Sequence, residues 1–201
     1  MAGTTFAACD FGAQSGRVIL GTIGDGRLSL EEIHRFVNRP VSVHGHIYWD
    51  LLYLFQEMKN GLARIASHYN PEEMQGIGVD TWGVDFGLVA RNGSILGNPV
   101  AYRDSRTDGM MDFVFEKIPR DEVYRETGIQ FLQLNTLYQL ASLVAAKSPL
   151  LSVAHKLLMM PDLFNYLLTG EVHSEYSIAS TSQLLNARNG SWSEKILSAL
   201  G

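Results

Sequence analysis

Asp10-Phe11-Gly12-Ala13-Gln14-Ser15-Gly16-Arg17 lies between two apolar runs, residues 4–9 and residues 18–23. Short runs joined by small and polar residues read as a strand, a turn and a returning strand. Asp25-Gly26 is a second tight-turn signal and leads into a third run, residues 28–36. Three antiparallel strands therefore come first.

Beyond this meander the period changes. Leu51, Leu54, Phe55, Met58, Leu62, Ile65 and Ala66 fall on one helical face, with Asp50 placed to cap it and Asn70-Pro71 to end it. Residues 76–80 and 84–90 read as strands, and Asn92-Gly93 as a turn. Helices are expected over residues 107–118, 136–147, 161–168 and 193–200; the third has Pro161 in its first turn and Gly170 just past its end. The order β-β-β-α-β-β, then mostly α, implies a mixed sheet covered by helices, not a doubly wound dinucleotide fold. An α/β core of the actin-like (ribonuclease-H-like) kind has this order.

With 46% hydrophobic and 18% charged residues, the chain has the composition of a globular protein. The net charge is -5 and no basic run is present, which offers no footprint for nucleic acid or an anionic membrane. Cys9 is the single cysteine, so an internal disulfide and a thiolate zinc cluster are both excluded; a reducing, cytoplasmic setting is expected. No basic patch followed by an apolar run marks a signal peptide. Residues 128–146 carry no charge, but Gln130, Gln133, Asn135, Thr136, Gln139 and Ser142 argue against a membrane span.

Three segments can carry chemistry. In the first, Gly12, Ala13, Ser15 and Gly16 permit a loop whose N–H groups turn toward a phosphate, with a hydroxyl from Ser15 and a cation from Arg17. Asp10 stands where a carboxylate holds a water of hydrated Mg²⁺. A plain β-turn with a surface Ser and Arg explains the same residues. The loop is neither a Walker A loop nor a dinucleotide fingerprint, because no Gly-Lys-Ser/Thr closes it and a strand follows it.

In the second, Asp80-Thr81-Trp82-Gly83-Val84-Asp85, Gly83 allows close approach to the backbone and Trp82 offers a flat face for sugar C–H groups. Asp80 and Asp85 are candidates to accept sugar hydroxyls. The alternative makes Trp82 a core residue, Gly83 a bulge and the carboxylates turn formers; spacing alone favours it. In the third, Arg103, Asp104 and Arg106 read as a structural salt-bridge cluster beside Tyr102. His44 and His46, flanking Gly45 in a loop, lack a third metal ligand.

Together these segments resemble the carbohydrate kinases named for their Phe-Gly-Gly-Tyr signature, nearest to the branch acting on L-rhamnulose. The resemblance also runs through residues 32–36, 48–50, 99–107, 128–131, 135–140 and 160–162. It covers residues 1–201, placed as the amino-terminal domain of such an enzyme, incomplete at its carboxy terminus. It implies ATP and Mg²⁺ as cofactors and transfer of the γ-phosphate to the 1-hydroxyl of L-rhamnulose. Another ketose such as L-fuculose, or a non-catalytic sugar-binding module, are the rival readings. By the same resemblance Ala13, Gln14, Ser15, Gly16 and Arg17 contact ATP and Gly83 touches the sugar; Gly12 joins the first set and Trp82 the second as their neighbours in the chain. The family's base is an aspartate following a His; no His-Asp dipeptide occurs here, so the carboxy-terminal kinase domain is the expected missing partner.

Overall fold

A computed structural model describes residues 3–201. The meander is present as β1 (Thr4–Phe11), β2 (Ser15–Gly24) and β3 (Arg27–Val37). A small hairpin of β4 (Val41–Val43) and β5 (His46–Tyr48) follows, where the sequence suggests only a loop. His44 and Gly45 both sit at positive φ, 51° and 83°, the twist a two-residue hairpin turn requires.

Helix α1 (Leu51–His68) is capped by Asp50, whose carboxylate accepts the Tyr53 N–H, and carries the chain across to β6 (Met74–Thr81). That crossover lays β6 parallel to β1, giving a mixed sheet in the order β3-β2-β1-β6. Strand β7 (Phe86–Ala90) leaves this sheet and pairs antiparallel with β8 (Ala154–Met159) in a separate ribbon. Between them come α2 (Met110–Phe115), α3 (Arg120–Thr127), α4 (Thr136–Ala145) and α5 (Leu150–Val153). After β8 come α6 (Met160–Thr169), α7 (Tyr176–Ser180) and α8 (Glu194–Leu200). The helix expected over residues 107–118 is shorter, because Gly109 at φ 74° separates the 3₁₀ turn Ser105–Thr107 from α2.

One face of the main sheet is closed. Ala7, Cys9 and Phe11 of β1 and Val18 and Leu20 of β2 pack on Leu54, Met58 and Ile65 of α1 and on Leu163 and Phe164 of α6. Phe11 meets Phe36 and Phe164 edge-on, each at 5.1 Å. The other face is bare: Phe6, Ile23, Leu28 and Leu30 are 39%, 50%, 62% and 65% exposed. A second cluster joins α2, α4 and α8 around Val114, Leu137, Tyr138 and Ile196.

Candidate functional site

Strands β1 and β6 run parallel with Phe11 opposite Thr81, so the turns that follow them emerge side by side. Parallel strands characteristically place ligands beyond their carboxyl ends. The first two of the three segments singled out from the sequence sit there.

The first turn is Gly12 to Gln14. Gly12 N–H donates to the Ser15 carbonyl at 2.9 Å. Buried Asn38 holds the other carbonyls: its backbone N–H donates to Gln14 O and its side-chain amide to Gly12 O, both at 2.9 Å. The N–H groups of Ala13 and Gln14 take no partner among the described residues. Two adjacent free N–H groups are the donor arrangement an anion uses.

Ser15, Gly16 and Arg17 belong to β2 instead of the loop. A Cβ on Gly16 would stand 2.1 Å from Cζ of Phe36, so the absence of a side chain there makes room for the ring packed over it. Arg17 is ion-paired with Asp10, its cross-strand neighbour, at a half-exposed position. Asp80 lies opposite Asp10 on the other side. A pair this exposed contributes no more than about 1 kcal/mol.

The second turn, Trp82 to Asp85, is anchored on every side. Asp85 is fully buried, which corrects its candidacy as a hydroxyl acceptor. Its Oδ2 accepts the Trp49 indole N–H at 2.6 Å, the Trp82 indole N–H at 2.9 Å and the Tyr102 backbone N–H at 3.1 Å. Its Oδ1 accepts the Gln139 amide at 2.9 Å. Burial pushes the Asp85 carboxyl above the usual range, although all four donors favour its charged form. Desolvating a carboxylate costs several kcal/mol, and each hydrogen bond to it returns about 1.5–3 kcal/mol. The four donors offset much of that penalty and tie four separate segments to one carboxylate.

Val84, β-branched, sits at φ 68°, a backbone state that costs on the order of 1–3 kcal/mol. The expectation that it starts a strand fails for this reason. Its N–H donates to Thr181 Oγ1 at 3.1 Å; its carbonyl accepts Thr136 Oγ1 at 2.6 Å and the Gln139 amide at 3.2 Å. A Cβ on Gly83 would meet Thr181 at 3.3 Å, so the glycine admits that side chain. Trp82 is half-buried and packs against buried Trp49, the ring centroids 4.2 Å apart and the planes inclined at 43°.

The third segment is no salt-bridge cluster. Asp104 accepts the N–H groups of Ile47 and Arg106 and pairs with the His46 ring at 3.1 Å. Burial raises the Asp104 carboxyl, and these contacts outweigh it, leaving it below the usual range. Arg106 donates to Gln139 Oε1 at 2.6 Å, and Arg103 lies over the Tyr102 ring.

The larger hollows lie elsewhere: about 800 Å³ between Phe86, Leu96 and Leu143, and about 750 Å³ between Leu51, Ile95 and Tyr166. Trp82 and Gly83 line neither of these hollows. Among the described residues no group of three His, Cys, Asp or Glu is placed to hold a metal ion, and no helix is long and apolar enough to cross a membrane. Burial pushes the Cys9 thiol up to about 12, so it stays protonated and inert.

Sequence reading missed Trp49, Gln139 and Thr181 as partners of the turn. The available signal was chemical, since a buried indole N–H needs an acceptor and two tryptophans stand near few buried carboxylates.

Residues 6–201 match the FGGY family of carbohydrate kinases, N-terminal domain. Proteins named Rhamnulokinase from Mannheimia succiniciproducens and Bacteroides thetaiotaomicron are 46% and 45% identical over 197 and 196 residues, covering 97% and 98% of this chain. The chain spans about 40% of the length of these relatives. A gluconate kinase from Lactobacillus acidophilus superposes with a TM-score of 0.86 at 16% identity, over 99% of this chain and 40% of the other. A ligand-bound xylulose kinase from the same organism gives 0.85 at 16% identity, over 98% and 39%. At such identities the likeness shows the fold.

Proposed function

The chain belongs to the FGGY family of carbohydrate kinases, and on that premise we propose that it supplies the amino-terminal part of an ATP-dependent kinase that phosphorylates L-rhamnulose at its 1-hydroxyl. The observation that carries this reading is the adjacency of the two turns at the ends of β1 and β6. Phosphoryl transfer needs a phosphate grip and a sugar wall within reach of each other, since catalysis here is positioning and charge stabilisation. The choice of sugar rests on the relatives named Rhamnulokinase.

In this reading Gly12 opens the turn, and the N–H groups of Ala13 and Gln14 with the Ser15 hydroxyl hold the phosphates. Gly16 keeps β2 seated under Phe36. Arg17 moves from Asp10 to the nucleotide. Asp10, partly exposed and beside Asp80, fits an ion that keeps its waters, as Mg²⁺ does; the ion would offset charge on the transferring group. Trp82 presents a flat face to the sugar, and Gly83 admits Thr181 so that the turn closes.

The family's His-Asp base has no counterpart in residues 1–201, so the reading assigns proton removal to a further part of the enzyme. The bare sheet face at Phe6, Ile23, Leu28 and Leu30 is consistent with a carboxy-terminal kinase domain packing nearby. A cytoplasmic location follows from metabolic use of ATP.

The test is a coupled assay of the complete kinase with ATP, Mg²⁺ and L-rhamnulose, L-fuculose or D-xylulose. The reading expects the highest kcat/KM for L-rhamnulose and a 1-phosphate product by phosphorus NMR. Preference for another ketose would contradict the sugar assignment, and failure to phosphorylate any sugar would contradict the whole.

A further inference from the structure

Asp85 receives donors from four separate segments. Trp49 precedes α1, Trp82 follows β6, Tyr102 begins the chain toward α2, and Gln139 lies in α4. Three of these converge on a single oxygen. Residues far apart in the chain are thereby fixed around one point behind the Trp82–Gly83 turn. With no exposed surface and with donors on both oxygens, the carboxylate does not touch a ligand. It can act only through its partners.

Those partners form a wall. The indole of Trp82 lies against that of Trp49, and the Tyr102 ring is 6.3 Å from Trp49. An indole free to rotate about its side-chain torsions loses its use as a flat face; an N–H pinned to a fixed acceptor removes that freedom. The same Gln139 amide that reaches Asp85 reaches the carbonyl of Val84. Thr136 and Thr181 hold the remaining polar groups of Val84. The left-handed state of a β-branched residue persists only where its surroundings over-determine it, and such residues gather at ligand clamps.

We propose that Asp85 is the positioning residue of the sugar wall, orienting Trp82 and the Tyr102 backbone and, through Gln139, locking Val84 in the conformation that presents Gly83. This rests on the reading that the Trp82–Gly83 turn faces the sugar. Asn is the informative replacement: it keeps the size and one acceptor oxygen but turns an amide N–H₂ toward the N–H₂ of Gln139.

Two variants of the complete kinase, Asp85→Asn and Trp82→Ala, are to be compared by their KM for L-rhamnulose, KM for ATP and kcat. The proposal expects Asp85→Asn to raise the sugar KM about tenfold while the ATP KM and kcat stay within twofold, with Trp82→Ala raising the same KM. An unchanged sugar KM in Asp85→Asn beside a raised one in Trp82→Ala overturns the role of Asp85 and leaves the site standing. No change in either variant overturns the site reading and this proposal with it. An equal rise in both KM values for Asp85→Asn marks general damage and also overturns it. Should Asp85→Asn fail to fold, near-isosteric Gln139→Met removes the amide that links Asp85 to the Val84 carbonyl. It must raise the sugar KM at least threefold with ATP kinetics intact, and an unmoved sugar KM overturns the proposal.

Discussion

The turn after β1 and the turn after β6 leave neighbouring strands at the same end of the sheet, but they are held by opposite means. The Gly12–Gln14 turn is fixed through its carbonyls by a single residue, Asn38, and two of its N–H groups have no partner among the described residues. The Trp82–Asp85 turn is fixed through a buried carboxylate, two hydroxyls and an amide, and contains a strained Val84. A phosphate brings charge and takes backbone donors, so its site must leave them unspent. The proposed sugar wall differs, because positioning hydroxyls and C–H faces for reaction needs groups that are already held in place.

The largest effect that sharpens this contrast is complete loss. The isolated 201-residue chain with ATP, Mg²⁺ and L-rhamnulose is expected to give no turnover above blank, because residues 1–201 contain the two proposed binding turns but no His-Asp dipeptide. Turnover by this chain alone would show that a carboxylate of the first 201 residues, such as Asp80, serves as base.

Next in size is Gly83→Val in the complete kinase. Its side chain is driven onto Thr181, where a Cβ already approaches to 3.3 Å. Overpacking of this kind costs about 1–3 kcal/mol. The sugar KM is expected to rise roughly tenfold with the ATP KM little changed. A milder pair locates the contact: Gly83→Ala should be relieved by Thr181→Ser, with a coupling on the order of 1 kcal/mol in a double-mutant cycle of thermal stability. Additive effects would mean that the glycine serves something other than Thr181.

Smaller, and confined to stability, is Gly16→Ala. The new methyl meets the Phe36 ring at 2.1 Å, so a loss of about 1–3 kcal/mol is expected. Thermal melting should show a drop of roughly 2–10 °C for a chain of this size. Phe36→Leu in the same chain should restore part of it. An ATP KM raised severalfold without a change in melting would return Gly16 to the phosphate site.

The two turns also differ in how far the sequence reveals them. The meander, α1 and the Gly12 loop were legible because each depends on neighbours in the chain: Asp25-Gly26 makes a turn, and Asp50 caps the helix it precedes. Strand β8 was not, since Ala154 to Met159 runs without a break into α6 and becomes a strand only by pairing with β7. The same holds for Asp85. Its spacing allowed a turn former or a ligand, and its burial depends on Trp49 and Gln139, 36 and 54 positions away. The smallness of Gly16 was visible, but its cause, a ring one strand over, was not.

The central claim is a division of labour, and one crossed measurement tests it. In the complete kinase, the KM for ATP and for L-rhamnulose and the apo thermal midpoint are to be determined for Arg17→Ala and for Trp82→Ala. Loss of a cation from a transferring phosphoryl group costs on the order of 2–4 kcal/mol, about a hundredfold in kcat/KM for ATP. Arg17→Ala should show that loss with its midpoint nearly unmoved, because the pair it breaks with Asp10 is half-exposed. Trp82→Ala should instead raise the L-rhamnulose KM while the ATP KM holds. Parallel shifts of both substrates in both variants, or a collapsed midpoint with normal ATP kinetics in Arg17→Ala, would contradict the account.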